Sequence, residues 1–214
     1  MKILKINPNN PTKKTIQEII RAIKEGKIIV YPTDTVYGLG CAALDVGVVE
    51  QLFRVKQRSD SKPIPILVRD IKMAKKLANI NREQEAFLKK VWPGKITVVF
   101  FKKDVVPDIV TAGSKKVGLR IPDYKFTKDL MDRLDFPITT TSANISGKLP
   151  SGNIKEILRQ FEGPGFKPDL VLDAGILPPS QSSTVVDLSD LKPKIIRKGP
   201  VSKKKVLKIL KAKK

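Results

Sequence analysis

Apolar residues recur at helical spacing in "TIQEIIRAIKEG", where Ile16, Ile19, Ile20 and Ile23 fall at i, i+3, i+4 and i+7. Gly26 suits the position just past that helix, where a left-handed residue closes the last turn. "KIIVY" follows as a continuous apolar, β-branched run and predicts a buried strand. Asp45 is placed to cap a second helix with Val48, Val49, Leu52 and Phe53 on its inner side. "PIPILV" reads as a strand whose start is confined to an edge or a bulge by Pro63 and Pro65. Short helices are predicted from Asp70 to Ala78 and after Asn81, with Gln84 completing a capping box. Beyond them "ITVVFF", "VGLRIP", "PITTTSA", "DLVLDAG", "STVVDL" and "KIIRKG" predict strands, with helices over Thr127 to Leu134 and Ile154 to Phe161. Strands outnumber helices, so strands joined without a helix must often pair antiparallel. The expectation is an α/β fold on one large, open, twisted sheet of mixed parallel and antiparallel strands, with flanking helices.

No internal repeat interrupts this pattern, and one domain is expected over 1–214, with a core from about residue 13 to 200. The end, "VSKKKVLKILKAKK", sets Val206, Leu207, Ile209 and Leu210 among lysines. Residues 201–214 therefore form either a short helix packing one face on the body or a basic tail for RNA or anionic lipid.

Composition narrows the chemistry. The 214 residues include one cysteine, Cys41, and no histidine. Intrachain disulfides, cysteine zinc clusters, Ser-His-Asp triads and histidine metal sites are excluded. The net charge of +21 favours polyanionic partners such as nucleotides or RNA, although a lysine-rich thermophile surface gives a similar excess. No apolar run approaches the ~20 residues of a membrane helix, and "MKILKINPNN" lacks the apolar segment of a signal peptide. A soluble cytoplasmic protein without a membrane partner is expected.

Several motifs fail. "WPGKIT" has Gly94-Lys95, but Ile96 replaces the P-loop hydroxyl and Lys89 stands where its first glycine belongs. Ser-x-x-Lys in "SDSK" and "SKKK" recurs by chance in a lysine-rich chain. Four segments hold, each bringing hydroxyls or cations to a strand end: "IIVYPTDTVYGLGC", "VKQRSDSKPIPILV", "TTTSANISG" and "SSTVVDLSDLKPKIIRKG". Open α/β sheets bind ligands where strands end.

Together "PTDTVYGLGC", "KQRSDSKPIPILV", "WPGKIT", "VGLRIP", "TTSANISG" and "SSTVVDLS" with "IIRKGP" resemble, in order, the YrdC-like proteins. These are the L-threonylcarbamoyladenylate synthases. The resemblance runs from about Ile16 to Pro200 and implies an open α/β sheet with a concave, positively charged face. It implies conversion of L-threonine, bicarbonate (or CO2) and ATP into threonylcarbamoyl-AMP and pyrophosphate, for threonylcarbamoyladenosine in tRNA. The family's Lys-x-Arg and Ser-x-Asn signature is carried by Lys56, Arg58, Ser142 and Asn144. By the same matching, Thr35, Arg120, Thr140 and Ser183 are expected on threonine or its carbamate. Arg58, Lys62, Ser142 and Arg197 are expected on ATP, with main-chain contacts near Lys116 and Pro150. Longer relatives carry a second domain, and a histidine where Leu67 stands here. A downstream threonylcarbamoyl-transferring complex is the expected recipient of the product.

These residues suit a displacement that needs no protein acid or base. Threonine's amine captures CO2, and a carbamate oxygen then attacks the α-phosphorus of ATP. Arginine forks suit phosphates and carboxylates, which favours Arg58 and Arg197 for ATP and Arg120 for the carboxylate side. Mg2+ is expected with ATP and not on a protein carboxylate cluster. The "PTDTVYGLG" tip reads as a substrate floor, with Tyr37 as a wall and glycines permitting close backbone approach. Cys41 reads as a small buried residue. The rival readings are an RNA-binding module of the same fold, for double-stranded RNA or tRNA, and a carbamoyl-transferring relative from hydrogenase maturation. Phe, Trp and Tyr make up only 6% of the chain, which gives base stacking little support.

Overall fold

The computed structural model describes residues 1–59, 61–190 and 192–211. In chain order the elements are β1 (Lys2–Lys5), α1 (Lys13–Lys24), β2 (Ile29–Tyr31), β3 (Gly38–Gly40), α2 (Val46–Lys56), β4 (Ile66–Leu67) and α3 (Ile71–Leu77). There follow α4 (Arg82–Val91), β5 (Ile96–Phe101), α5 (Asp108–Thr111), β6 (Lys116–Arg120), α6 (Lys125–Met131), β7 (Ile138–Thr139) and β8 (Thr141–Ser142). The chain closes with α7 (Ile154–Gln160), β9 (Leu170–Asp173), β10 (Thr184–Asp187), β11 (Lys194–Arg197) and α8 (Lys203–Lys211).

Local signals act as the sequence implies. The Asp45 side chain accepts from the Val48 amide, and Asn81 and Gln84 close a reciprocal capping box. Gly26 takes φ +76° just after α1, whose Ile16, Ile19 and Ile23 are buried. α8 forms at the basic end and buries Val206, while the last three lysine-rich positions lie outside the described residues.

Mixed strands with flanking helices are present, but they divide into two sheets where one was expected. Five strands run β1-β9-β2-β3-β8, and six run β11-β10-β5-β6-β4-β7. The division falls inside "PITTTSA": β7 pairs with β4 in the larger sheet, β8 pairs with β3 in the smaller, and Thr140 stands between. The Thr140 amide donates to Pro65 O at 2.8 Å, outside both ladders. "PIPILV" also differs from expectation. Its strand begins only after both prolines, so no ladder amide is lost, and β4 lies between β6 and β7 and not at an edge. β1, β3 and α5 were not predicted; β3 holds only Gly-Leu-Gly, too short for a period-2 signal.

Strand alternation then makes the site. Ile96, Val98 and Phe100 of β5, Val117 and Leu119 of β6, and Val186 of β10 point into the buried core. The alternate residues, including Thr97, Lys116, Gly118, Arg120 and Val185, lie on the opposite face and line a cavity.

Candidate functional site

That cavity has a volume of about 430 Å3 and is walled by strand ends of both sheets. The β2–β3 loop contributes Thr35, and the turn after α2 contributes Arg58. Thr140 and Ser142 come from the crossing between sheets, and Lys116 and Arg120 from β6. Ser183 precedes β10, and Arg197 ends β11. Eight of the positions expected from sequence thus share one concavity. Within the described residues its charged lining is Arg58, Lys116, Arg120 and Arg197 against Asp187.

Arg58 donates from Nη1 to Thr141 Oγ1 at 3.3 Å and from Nη2 to Pro63 O at 3.1 Å. Arg120 is 6% exposed; its Nη1 donates to Thr35 Oγ1 at 3.2 Å and its Nη2 pairs with Asp34 Oδ1 at 2.5 Å. Nε of Arg58 and Nε of Arg120 are buried without a partner in the protein. Arg197 donates from Nε to Ser183 O at 2.9 Å and from Nη2 to Ser183 Oγ at 3.0 Å. Burial lowers all three guanidinium pKa values, and the Arg120 charge lowers that of Arg197 further. Like charges gathered on a partly dry wall favour an anion between them.

Lys56 and Asn144 are expected at the chemistry but stand behind the wall, absent from the cavity lining. The Lys56 Nζ donates to Ser142 O at 2.6 Å, Asn144 O at 3.0 Å and Asn144 Oδ1 at 3.0 Å. Ser142 Oγ donates to that same Asn144 Oδ1 at 2.5 Å. Burial, with the Arg58 charge adding to it, pushes the Lys56 ammonium down to about 7, while its three oxygen acceptors favour the charged form. Both residues therefore set the Ser142 turn; they do not face the cavity.

Lys62 and Pro150 are exposed and do not line the cavity either. The Lys62 amide donates to Ser59 O at 3.4 Å, and Pro150 sits on the loop whose Ser151 carbonyl accepts from the Tyr37 amide. Tyr37 does form a wall, with its hydroxyl turned away to donate to Gly175 O at 2.9 Å. Gly38 lines the cavity and Gly40 does not, and both also make close contacts within the protein. A Cβ on Gly38 would lie 2.9 Å from the Tyr31 ring, and one on Gly40 would lie 2.5 Å from Thr139 O. These glycines admit the Tyr31 ring against Gly38 and the Thr139 carbonyl against Gly40. Cys41 is buried, and burial raises its thiol pKa to about 12. Thr97, Ser114 and Asp187 also line the cavity and were missed. Thr97 sits in the apolar "ITVVFF", where only period-2 alternation marks it as facing away from the core.

The profile of the Sua5/YciO/YrdC family, described as "Telomere recombination", matches residues 21–199. The chain belongs to this family. Among family relatives, a Pyrococcus abyssi threonylcarbamoyl-AMP synthase is 34% identical over 189 residues, which is 88% of this chain and 55% of that one. A Methanocaldococcus jannaschii relative is 36% identical over 202 residues, covering 94% of both chains. The crystal structure of P. abyssi Sua5 complexed with L-threonine superposes with a TM-score of 0.91 at 32% identity, over 98% of this chain and 61% of that one. The chain therefore spans little more than half the length of the P. abyssi family member.

Proposed function

We propose that this chain is an L-threonylcarbamoyladenylate synthase, forming threonylcarbamoyl-AMP and pyrophosphate from L-threonine, bicarbonate or CO2, and ATP. The observation that carries the reading is the gathering of hydroxyls and arginines from distant segments around one cavity, with two buried arginine Nε groups unpartnered. The P. abyssi relative, named for this activity, supports it.

In this reading Arg58 and Arg197 hold ATP phosphates, with Ser142 Oγ and the main chain at Lys116 beside them. Arg120 faces the amino-acid carboxylate, and Thr35, Thr140 and Ser183 bond threonine or its carbamate. Carbamate and ATP are both anions and repel before they react. A cation ~4 Å from an anion gains about 4 kcal/mol at an effective dielectric near 20, so several arginines offset that repulsion and stabilise the departing pyrophosphate. A hydroxyl site disfavours valine, which leaves those groups unpaired.

Mg2+ enters as part of the ATP substrate. Among the described residues no group of three acidic, cysteine or histidine side chains is arranged to hold a metal. The cavity's own carboxylate, Asp187, is already engaged by Lys116 and Ser189. The chain works as one domain in the cytoplasm, and its product passes to a threonylcarbamoyl-transferring complex. No described helix is long and apolar enough to cross a membrane. The net charge of +21 supports additional salt-sensitive contact with tRNA or other RNA.

The test is incubation with ATP, bicarbonate and threonine while pyrophosphate is measured. Release that requires threonine supports the synthase; release indifferent to threonine sinks it.

A further inference from the structure

Asp34 stands between the two threonines of the "PTDT" loop, and its side chain is only 4% exposed. It does not line the cavity. One oxygen pairs with Arg120 Nη2, and the other accepts from the Asp123 amide at 3.1 Å. A single carboxylate thus ties the β2–β3 loop to the turn after β6. Arg120 is then held at two points, by Asp34 and by Thr35 Oγ1. Its Nε has no partner in the protein and each Nη keeps a second N–H, on a residue that lines the cavity.

We propose that Asp34 is a positioning residue for amino-acid recognition: it fixes the Arg120 fork so that the remaining N–H groups meet the substrate carboxylate. This rests on the synthase reading of the cavity. A freely rotating arginine loses orientation and entropy on every binding event, whereas a clamped one is organised beforehand. The ion pair also has a sign that separates clamping from plain electrostatics. Asp34 places a negative charge near the site, so charge alone predicts that Asp34→Asn strengthens binding of an anionic group. Clamping predicts the reverse.

Threonine binding to wild type and Asp34→Asn is compared by calorimetry, with ATP affinity measured alongside. The expected result is threonine binding weakened roughly 10- to 100-fold, the range for a lost charged hydrogen bond, with ATP affinity within about twofold. Unchanged or tighter threonine binding in Asp34→Asn overturns the inference, as does an equal loss for ATP. Removing one partner of a buried pair can prevent folding. In that event Asp34→Glu is measured, which keeps the charge and displaces the carboxylate by one methylene. Weakened threonine binding with ATP affinity within about twofold supports the clamp, and unchanged threonine binding overturns it. Wild-type protein that binds no threonine at all overturns the synthase reading and the inference with it, whereas a wild type that binds and a variant that binds equally overturn the inference alone.

Discussion

Single side chains in this site divide by what they touch. Arg58 lines the cavity, and its two hydrogen bonds are to a hydroxyl and a carbonyl near the surface. Arg58→Ala should lower threonine-dependent pyrophosphate release at least ~100-fold, the scale for removing a donor to developing charge, while leaving the melting temperature nearly unchanged. Lys56 reverses that balance. Lys56→Met strands Asn144 O, at roughly 1–3 kcal/mol when unsatisfied, and removes one of the two donors to Ser142 O and to Asn144 Oδ1. Its melting temperature should fall by several degrees, and calorimetry on the two variants separates the roles. Cys41 is the third case. Its thiol is pushed up to about 12 by burial, and the buried phenols of Tyr31 and Tyr37 are raised as well. Between about pH 9 and 12 the unfolded chain releases protons that the folded chain keeps, so stability should fall as pH rises through that window. Iodoacetamide at pH 8.5 should leave the folded thiol unlabelled and modify it in denaturant, which mass spectrometry reads directly.

At the scale of elements, the cavity depends on how closely two backbone segments meet. A Cβ on Gly199 would lie 2.5 Å from Ser182 O and from the Thr184 amide nitrogen. Gly199→Ala must therefore push the end of β11 off the start of β10, where Arg197 is bonded to Ser183. Reduced ATP affinity and a lower melting temperature are expected together, with Gly163→Ala as the neutral comparison, because nothing lies within 4 Å of its added Cβ. Caps and strand cores were legible here because they are local: Asp45, Asn81 with Gln84, and the alternation in "ITVVFF" each act within a few residues. The crossing at Thr140 was not, since "PITTTSA" has unbroken strand propensity and only its partners, β4 and β3, pull it in two directions. The same limit explains Lys62 and Pro150. Motif order aligns them with the site, but which way a loop turns depends on contacts distant in sequence.

For the whole molecule, the cavity is the place where the two sheets share one concave wall. Thr35 and Ser142 belong to the smaller sheet's side, and Thr97, Arg120, Ser183 and Arg197 to the larger. A ligand bound across them stabilises the folded chain by its differential affinity, about 2.7 kcal/mol at a hundredfold excess over Kd. At roughly 2–4 °C per kcal/mol for a protein of this size, saturating Mg-ATP should raise the melting temperature by about 5–11 °C. Arg58→Ala should lose most of that shift. Calorimetric melts with ATP alone, threonine alone and both together test the shared cavity itself. If each ligand shifts the melt only as it does by itself in every variant, and Arg58→Ala still responds fully to ATP, the nucleotide binds elsewhere. Loss of the ATP shift in Arg58→Ala with retention of the threonine shift places the phosphates at the α2 turn and leaves the amino acid on the Arg120 side.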